Sequence, residues 1–206
     1  GPQGPLLGEF ERNMCRQVGD YFNQSKQKFD QAQTVPPPRR DPLILDLNGD
    51  GIKTINVKDG AYFDHDGNGF SEQTGWAGKD DGLLVWDRNN NGAIDNDQEL
   101  FGDQTILHDG IRATSGFAAL AEWDQVANDG NGDGEVNATD AVWANLKIWR
   151  DANSDGISST DELMSLAGAG VQSINVGFTS PNTTDAQGNT LARLGSFTRT
   201  DGTAGQ

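Results

Sequence analysis

From residue 42 onward, short apolar runs alternate with stretches of Asp, Asn and Gly, and the period of the apolar positions changes along the chain. Residues 42–47, 52–57 and 83–86 are brief and β-rich, and each abuts an Asp/Asn/Gly loop, which predicts strands. Residues 116–126, 138–149 and 160–166 carry apolar side chains at three- to four-residue spacing and predict helices. β-type runs return at 171–178 and 190–198. Runs of strands followed by runs of helices predict an α+β fold, with the helix over 138–149 joining two ligand loops. Upstream, Phe10, Met14, Val18, Tyr21, Phe22 and Phe29 mark an amphipathic helix within 9–32, and Pro36-Pro37-Pro38 makes 33–40 an extended linker. The pattern therefore divides the chain into an upstream segment, 1–40, and a module, 41–206.

Charge sharpens that boundary. Residues 1–40 carry six Lys/Arg against four Asp/Glu, whereas 41–206 carry nine against twenty-seven, a change from +2 to −18. Most of the acids are Asp standing close to Gly or Asn, which is the composition of ligand loops. Such repulsion opposes compaction unless cations are bound, and it makes nucleic acid and anionic membranes poor partners. No run approaches the eighteen or so apolar residues of a membrane span. The single cysteine, Cys15, excludes an internal disulfide framework and reads as a small apolar residue on a helix face. His65 and His108 lack Cys or His neighbours, so zinc is a poor reading. The five Trp residues read as core anchors.

Five segments place Asp or Asn at alternating positions before a Gly. Calcium takes six to eight oxygens, and alternate residues of a tight loop can all point inward while Gly at position six permits the turn. The fifth loop fits best: Asp151, Asn153, Asp155, Gly156 and Glu162 fall at positions one, three, five, six and twelve of an EF-hand loop, with the Ile157 carbonyl at seven and Ser158 at eight in place of an apolar residue. The fourth offers Asp129, Asn131, Asp133, Gly134, Glu135, Asn137 and Asp140. In the third, Asp87, Asn89, Asn91 and Asp95 fit, and Glu99 falls at thirteen. The second has Asp64, Asp66, Asn68 and Glu72 with no acid at twelve; the first has Asp46, Asn48 and Asp50, with Val57 at twelve.

Asp41-Pro42 is the sole Asp-Pro bond of the chain, set between the basic linker and the first loop. The proline nitrogen has no hydrogen, and the Asp41 carboxylate sits one methylene from its own carbonyl, so intramolecular attack is geometrically open.

The run from Arg40 through Asp41-Pro42-Leu43-Ile44-Leu45-Asp46-Leu47-Asn48-Gly49-Asp50 to Gly51, with Trp86-Asp87-Arg88-Asn89, Glu99-Leu100-Phe101-Gly102-Asp103 and Leu146-Lys147-Ile148-Trp149-Arg150-Asp151-Ala152-Asn153, resembles the self-processing module of FrpC-type RTX (repeats-in-toxin) proteins. The resemblance spans residue 41 to about 178, and more weakly the tail. It implies calcium-triggered hydrolysis of Asp41-Pro42, with Asp41 and Pro42 as the catalytic pair and calcium as the cofactor. The aspartyl end would pass through an anhydride to water or to a protein lysine amine, and a secreted larger parent would carry the module. A monomer is expected. Two other readings stay open: a structural calcium module in which Asp41-Pro42 is inert, and a dockerin-like binding module. The uneven loop spacing among strands speaks against the latter.

Overall fold

The computed structural model describes residues 40–206, so the helix and linker expected over 9–40 lie, but for Arg40, outside the described residues. Its strands are short and numerous. The first sheet is antiparallel and runs β1 (Ile44–Leu45), β6 (Gly82–Val85), β8 (Lys147–Trp149), β9 (Leu163–Ser165). The second runs β14 (Ala204–Gly205), β13 (Phe197–Arg199), β10 (Val171–Asn175), β7 (Glu135–Asn137). Three two-stranded ribbons complete the set: β2 (Thr54–Ile55) with β5 (Trp76–Ala77), β3 (Tyr62–Phe63) with β4 (Glu72–Gln73), and β11 (Thr183–Thr184) with β12 (Thr190–Leu191).

The first sheet separates two apolar clusters. Leu84 and Ile148 point into one, with Leu43, Leu45, Phe101, Leu120 and Val136; Leu83, Val85 and Trp149 point into the other, with Phe63, Trp76 and Leu100. A strand buried on both faces reads as a continuous apolar run. That is why Gly82-Leu83-Leu84-Val85 lacks alternation.

The expected α+β class is overturned: the described residues are mostly β, with one α-helix, α1 (Gly116–Asp124). Ser115 caps it, its Oγ accepting the Ala118 N–H, and α1 matches the helix expected over 116–126. The helices expected over 138–149 and 160–166 do not form. The first is a 3-10 turn (Ala141–Asn145) followed by β8, and the second contains β9. Asp140 accepts the N–H groups of Asn131 and Asn137, tying the start of that segment to the preceding loop. Ile148 and Trp149 then enter opposite clusters, which a strand permits and one face of a helix does not. The ligand loops thus join strands and turns rather than paired helices, and the helix expected to link the fourth and fifth loops is absent.

Candidate functional site

The residues after Asp41-Pro42 are strapped into the first sheet. The Leu43 N–H donates to Phe101 O (2.8 Å), the Leu84 N–H donates to Leu43 O (3.0 Å), and the Asp46 N–H donates to Gln206 O (2.7 Å). Leu43 and Leu45 are buried, so withdrawing this strand would uncover the core. The bond packs on Gly102, and the residue after Pro42 packs on Gly116. A Cβ at Gly102 would stand 3.2 Å from the Asp41 carbonyl oxygen, and one at Gly116 would meet Phe101 O at 2.6 Å and Leu43 Cβ at 3.0 Å. At Gly116 a side chain would force a shift, and at Gly102 it would crowd the bond by a few tenths of an ångström.

The Asp41 carboxylate is held from the far end of the chain. Arg193 Nη1 donates to its Oδ2 at 2.8 Å, and both side chains are roughly a third exposed, at 28% and 30%. Arg193 also lies over the Phe178 ring, 5.4 Å from its centroid. Burial pushes the Asp41 carboxyl up, Arg193 pulls it down, Asp103 nearby pushes it up again, and a backbone hydrogen bond from Gly116, at the start of α1, lowers it. On the other side of the bond, Arg40 Nε stands 3.7 Å from Asp97 Oδ2. Asp97 Oδ1 pairs with His65 Nδ1 and His65 Nε2 with Thr74 Oγ1, both at 2.8 Å and buried. Both ring nitrogens of His65 are thereby engaged in hydrogen bonds.

In the loops, a shared hydrogen-bond scheme appears. The acid at position one accepts backbone N–H groups at positions five and six: Asp151 from Asp155 and Gly156, Asp87 from Asn91 and Gly92, Asp64 from Asn68 and Gly69. Asp46 accepts from Gly49 and Gly51. A closing acid spans the other side. Glu162 accepts from Ala152 and Ser159, at positions two and nine. Glu99 accepts from Arg88 and Asp95, again positions two and nine, so its placement at thirteen does not displace it. Glu72 accepts from His65 at position two of the second loop. Asp64, Asp66 and Glu72 bring carboxylate oxygens within 4.8 Å of one another, the one such acidic group among the described residues.

The fourth loop departs from expectation. Its position-five and position-six N–H groups, on Asp133 and Gly134, donate to Asp124 at the end of α1, at 3.1 and 3.0 Å. Asp129 instead turns the chain in a left-handed conformation, and its carbonyl accepts the Ala141 N–H. Asp140 closes the loop through Asn131 and Asn137; Glu135 and Asn137 lie on β7, and Asn131 and Asp133 hydrogen-bond each other. In the third loop Asn89 and Asn91 both donate to Asp95, and in the fifth Asn153 donates to Asp155. In the first, the Asn48 side chain accepts the Asp50 N–H, and in the second Asn68 accepts from Phe70. The Ile157 side chain is exposed.

The loops are also tied together. Ser158 Oγ accepts the Ile94 N–H (2.7 Å), which joins position eight of the fifth loop to position eight of the third. That bond accounts for a hydroxyl where an apolar residue is usual. Asp151 accepts the Trp76 indole N–H (2.7 Å), and burial pushes its carboxyl up. The side-chain ligand atoms these loops offer are oxygens of Asp, Asn and Glu, a set that suits a hard divalent cation of calcium type.

Arg193, Asp97, Asp124 and the glycine cradle were not foreseen. Arg193 and Asp124 reach their places only through tertiary folding, and no local spacing marks them. Gly102 does lie within the Glu99–Asp103 motif, but its contact with Asp41 is a property of the fold.

A β domain with five acidic loops and one strapped Asp-Pro bond is the class these features define. The chain belongs to the SPM domain family, whose match covers residues 43–206. It is also similar to the iron-regulated protein FrpA of Neisseria meningitidis serogroup C, 52% identical over 165 residues, which is 79% of this chain and 14% of that relative. Both matches fit the RTX resemblance read from the motifs. No helix among the described residues is long and apolar enough to cross a membrane.

Proposed function

We propose that this chain is a calcium-triggered self-processing module that cleaves its own Asp41-Pro42 bond. The observation that carries the reading is the setting of that bond: its carboxylate is gripped by Arg193 at 2.8 Å, its carbonyl lies against Gly102, and the residue that follows Pro42 is pinned to Phe101. Holding a nucleophile beside its electrophile is worth several orders of magnitude in rate. A carboxylate raised by burial is a stronger nucleophile than a solvated one, and Arg193 aims it.

One Asp41 side-chain oxygen forms a bond to the Asp41 carbonyl carbon, the bond from that carbon to the Pro42 nitrogen breaks, and the nitrogen takes a proton from water, which reaches the partly exposed site. The product is a five-membered aspartic anhydride and a free Pro42 amine. Water opens the anhydride to end the upstream fragment at Asp41; a lysine amine of a protein opens it to an amide and loses a proton. Calcium, when bound by the loops, supplies charge neutralisation that lets the acidic segments pack. Residues 42–51 then hold the bond in place.

By its likeness to FrpA, of which it spans 14%, the module would belong to a larger secreted RTX-type protein. On that reading the bond stays intact where calcium is scarce and is cut outside the cell. Adding millimolar calcium to the whole chain tests the proposal: fragments ending at Asp41 and beginning at Pro42 are expected by gel and mass spectrometry. Asp41→Asn should fold with calcium yet remain uncut, and an added primary amine should appear as an amide on Asp41. Cleavage of Asp41→Asn at the parent rate, with deamidation excluded, rules out the anhydride route.

A further inference from the structure

Among the five loops, the first lacks a closing acid of its own. The second, third, fourth and fifth are closed by Glu72, Glu99, Asp140 and Glu162, which accept N–H groups of their own loops. In the first loop position twelve is Val57, an apolar and exposed residue. The carboxylate that meets this loop comes from elsewhere in the sequence. Asp81 Oδ2 accepts the Lys53 N–H, at position eight, at 2.6 Å.

We propose that Asp81 is the missing ligand of the first loop, and that Asp46, Asn48, Asp50 and Asp81 together form a calcium site shared between β1 and β6. Three observations carry it. The β1–β6 pairing sets Leu45 opposite Gly82, which brings Asp46 and Asp81, the next residues outward on each strand, to the same end of the ladder. Asp81 is only 1% exposed, yet its Oδ1 has no hydrogen-bond partner. The charges that face it are carboxylates, Asp46 and Asp50 from the loop and Asp80 from its own turn. A buried carboxylate oxygen without a donor, set among like charges, is costly unless a cation joins it. The nearby lysine does not serve, because Lys53 Nζ is turned outward to the Asp50 carbonyl at 2.9 Å, on the exposed side.

The inference rests on the calcium reading of the loops and adds to it a ligand outside all five motifs. It also gives the first loop a distinct place, since β6 is the strand whose Leu84 N–H holds Leu43 O beside the scissile bond. Calorimetric titration and native mass spectrometry of the whole chain, in an Asp41→Asn background that keeps it uncut, test the site with calcium alone as the probe. Asp81→Asn is expected to lose one bound calcium, or to weaken one site at least tenfold. Asp46→Asn should lose the same ion, and the double variant no more than either. Unchanged stoichiometry and affinity for Asp81→Asn, or two ions lost in the double variant, overturns the proposal while leaving calcium binding standing. A parent chain that takes up no calcium overturns both. Folding defects in the variants are bypassed by carbon-13 spectroscopy of the unsubstituted Asp81 side chain: its carboxyl carbon should shift in the same calcium step as that of Asp46. An Asp81 signal that stays still while Asp46 moves also overturns it.

Discussion

Asp41 is placed under two opposed influences, burial that favours its neutral form and Arg193 that favours its charge. On the proposed self-cleavage, their balance sets both how much carboxylate is present and how well it is aimed. Arg193→Met should slow cleavage roughly 10- to 100-fold, since a small misplacement of a reacting group is expensive. It should also move the rise of the pH–rate profile upward, because the lowering influence is gone. Arg193→Lys should recover part of the rate, keeping charge but losing the planar fork. Single-turnover rates at saturating calcium across pH check all three; equal profiles for Arg193→Met and the parent would deny Arg193 a positioning role. Gly102→Val should cut the rate at least as severely, with the calcium-induced fold retained. Its Cβ alone would stand 3.2 Å from the Asp41 carbonyl oxygen, and the two methyl groups beyond it would press on the scissile bond.

At the level of elements, the local alphabet of Asp, Asn and Gly was legible, whereas two of the three helices expected over 116–166 do not form. Left-handed glycines at position six, such as Gly92 and Gly156, follow directly from the loop spacing. The strands β1, β2 and β10 lie inside the runs expected for them, β6 is shifted one residue earlier than its run at 83–86, and α1 was announced by its apolar period. The run 138–149 misled because a short, doubly buried strand and one face of a helix leave similar apolar traces. Asp124 was hidden because six residues, Gln125 to Gly130, separate it from the rest of its loop, and spacing alone favours Asp129. The difference is measurable. Asp124→Asn should raise the calcium concentration needed for folding about tenfold, equivalent to ~1.4 kcal/mol, whereas Asp129→Asn should stay within about twofold. Tryptophan circular dichroism during calcium titration reads both, and the reverse order would return position one to Asp129.

For the molecule as a whole, the calcium reading makes stability a contest between protons and calcium. Burial, then the charges of Asp46 and Asp50, push Asp81 from its ordinary 3.8 to about 6, and burial also raises Asp41, Asp97 and Asp151. A carboxyl whose folded value lies above its unfolded one binds protons more tightly when folded. Its ionisation therefore weakens the fold as pH rises from about 4 to about 6, and the loss is relieved as pH falls back toward 4. In chelator, the thermal midpoint should be higher at pH 5 than at pH 7.5. In millimolar calcium the order should reverse, since ions then take the place of protons. A chelated chain equally stable at both values would show that these carboxyls do not govern the apo state.

The grip of Arg193 on Asp41 crosses 152 positions of sequence, and the Asp46 N–H at the end of the strand after Asp41-Pro42 is taken up by Gln206. If that bond is cut as proposed, the cut falls ahead of β1 but is furnished from residues far downstream. Under the proposed activity, the bond acts as a completion signal. A chain missing its last strands, or one stalled partway, lacks the residues that aim the nucleophile and stays uncut. Release of the upstream segment would then certify that the whole module has folded around it.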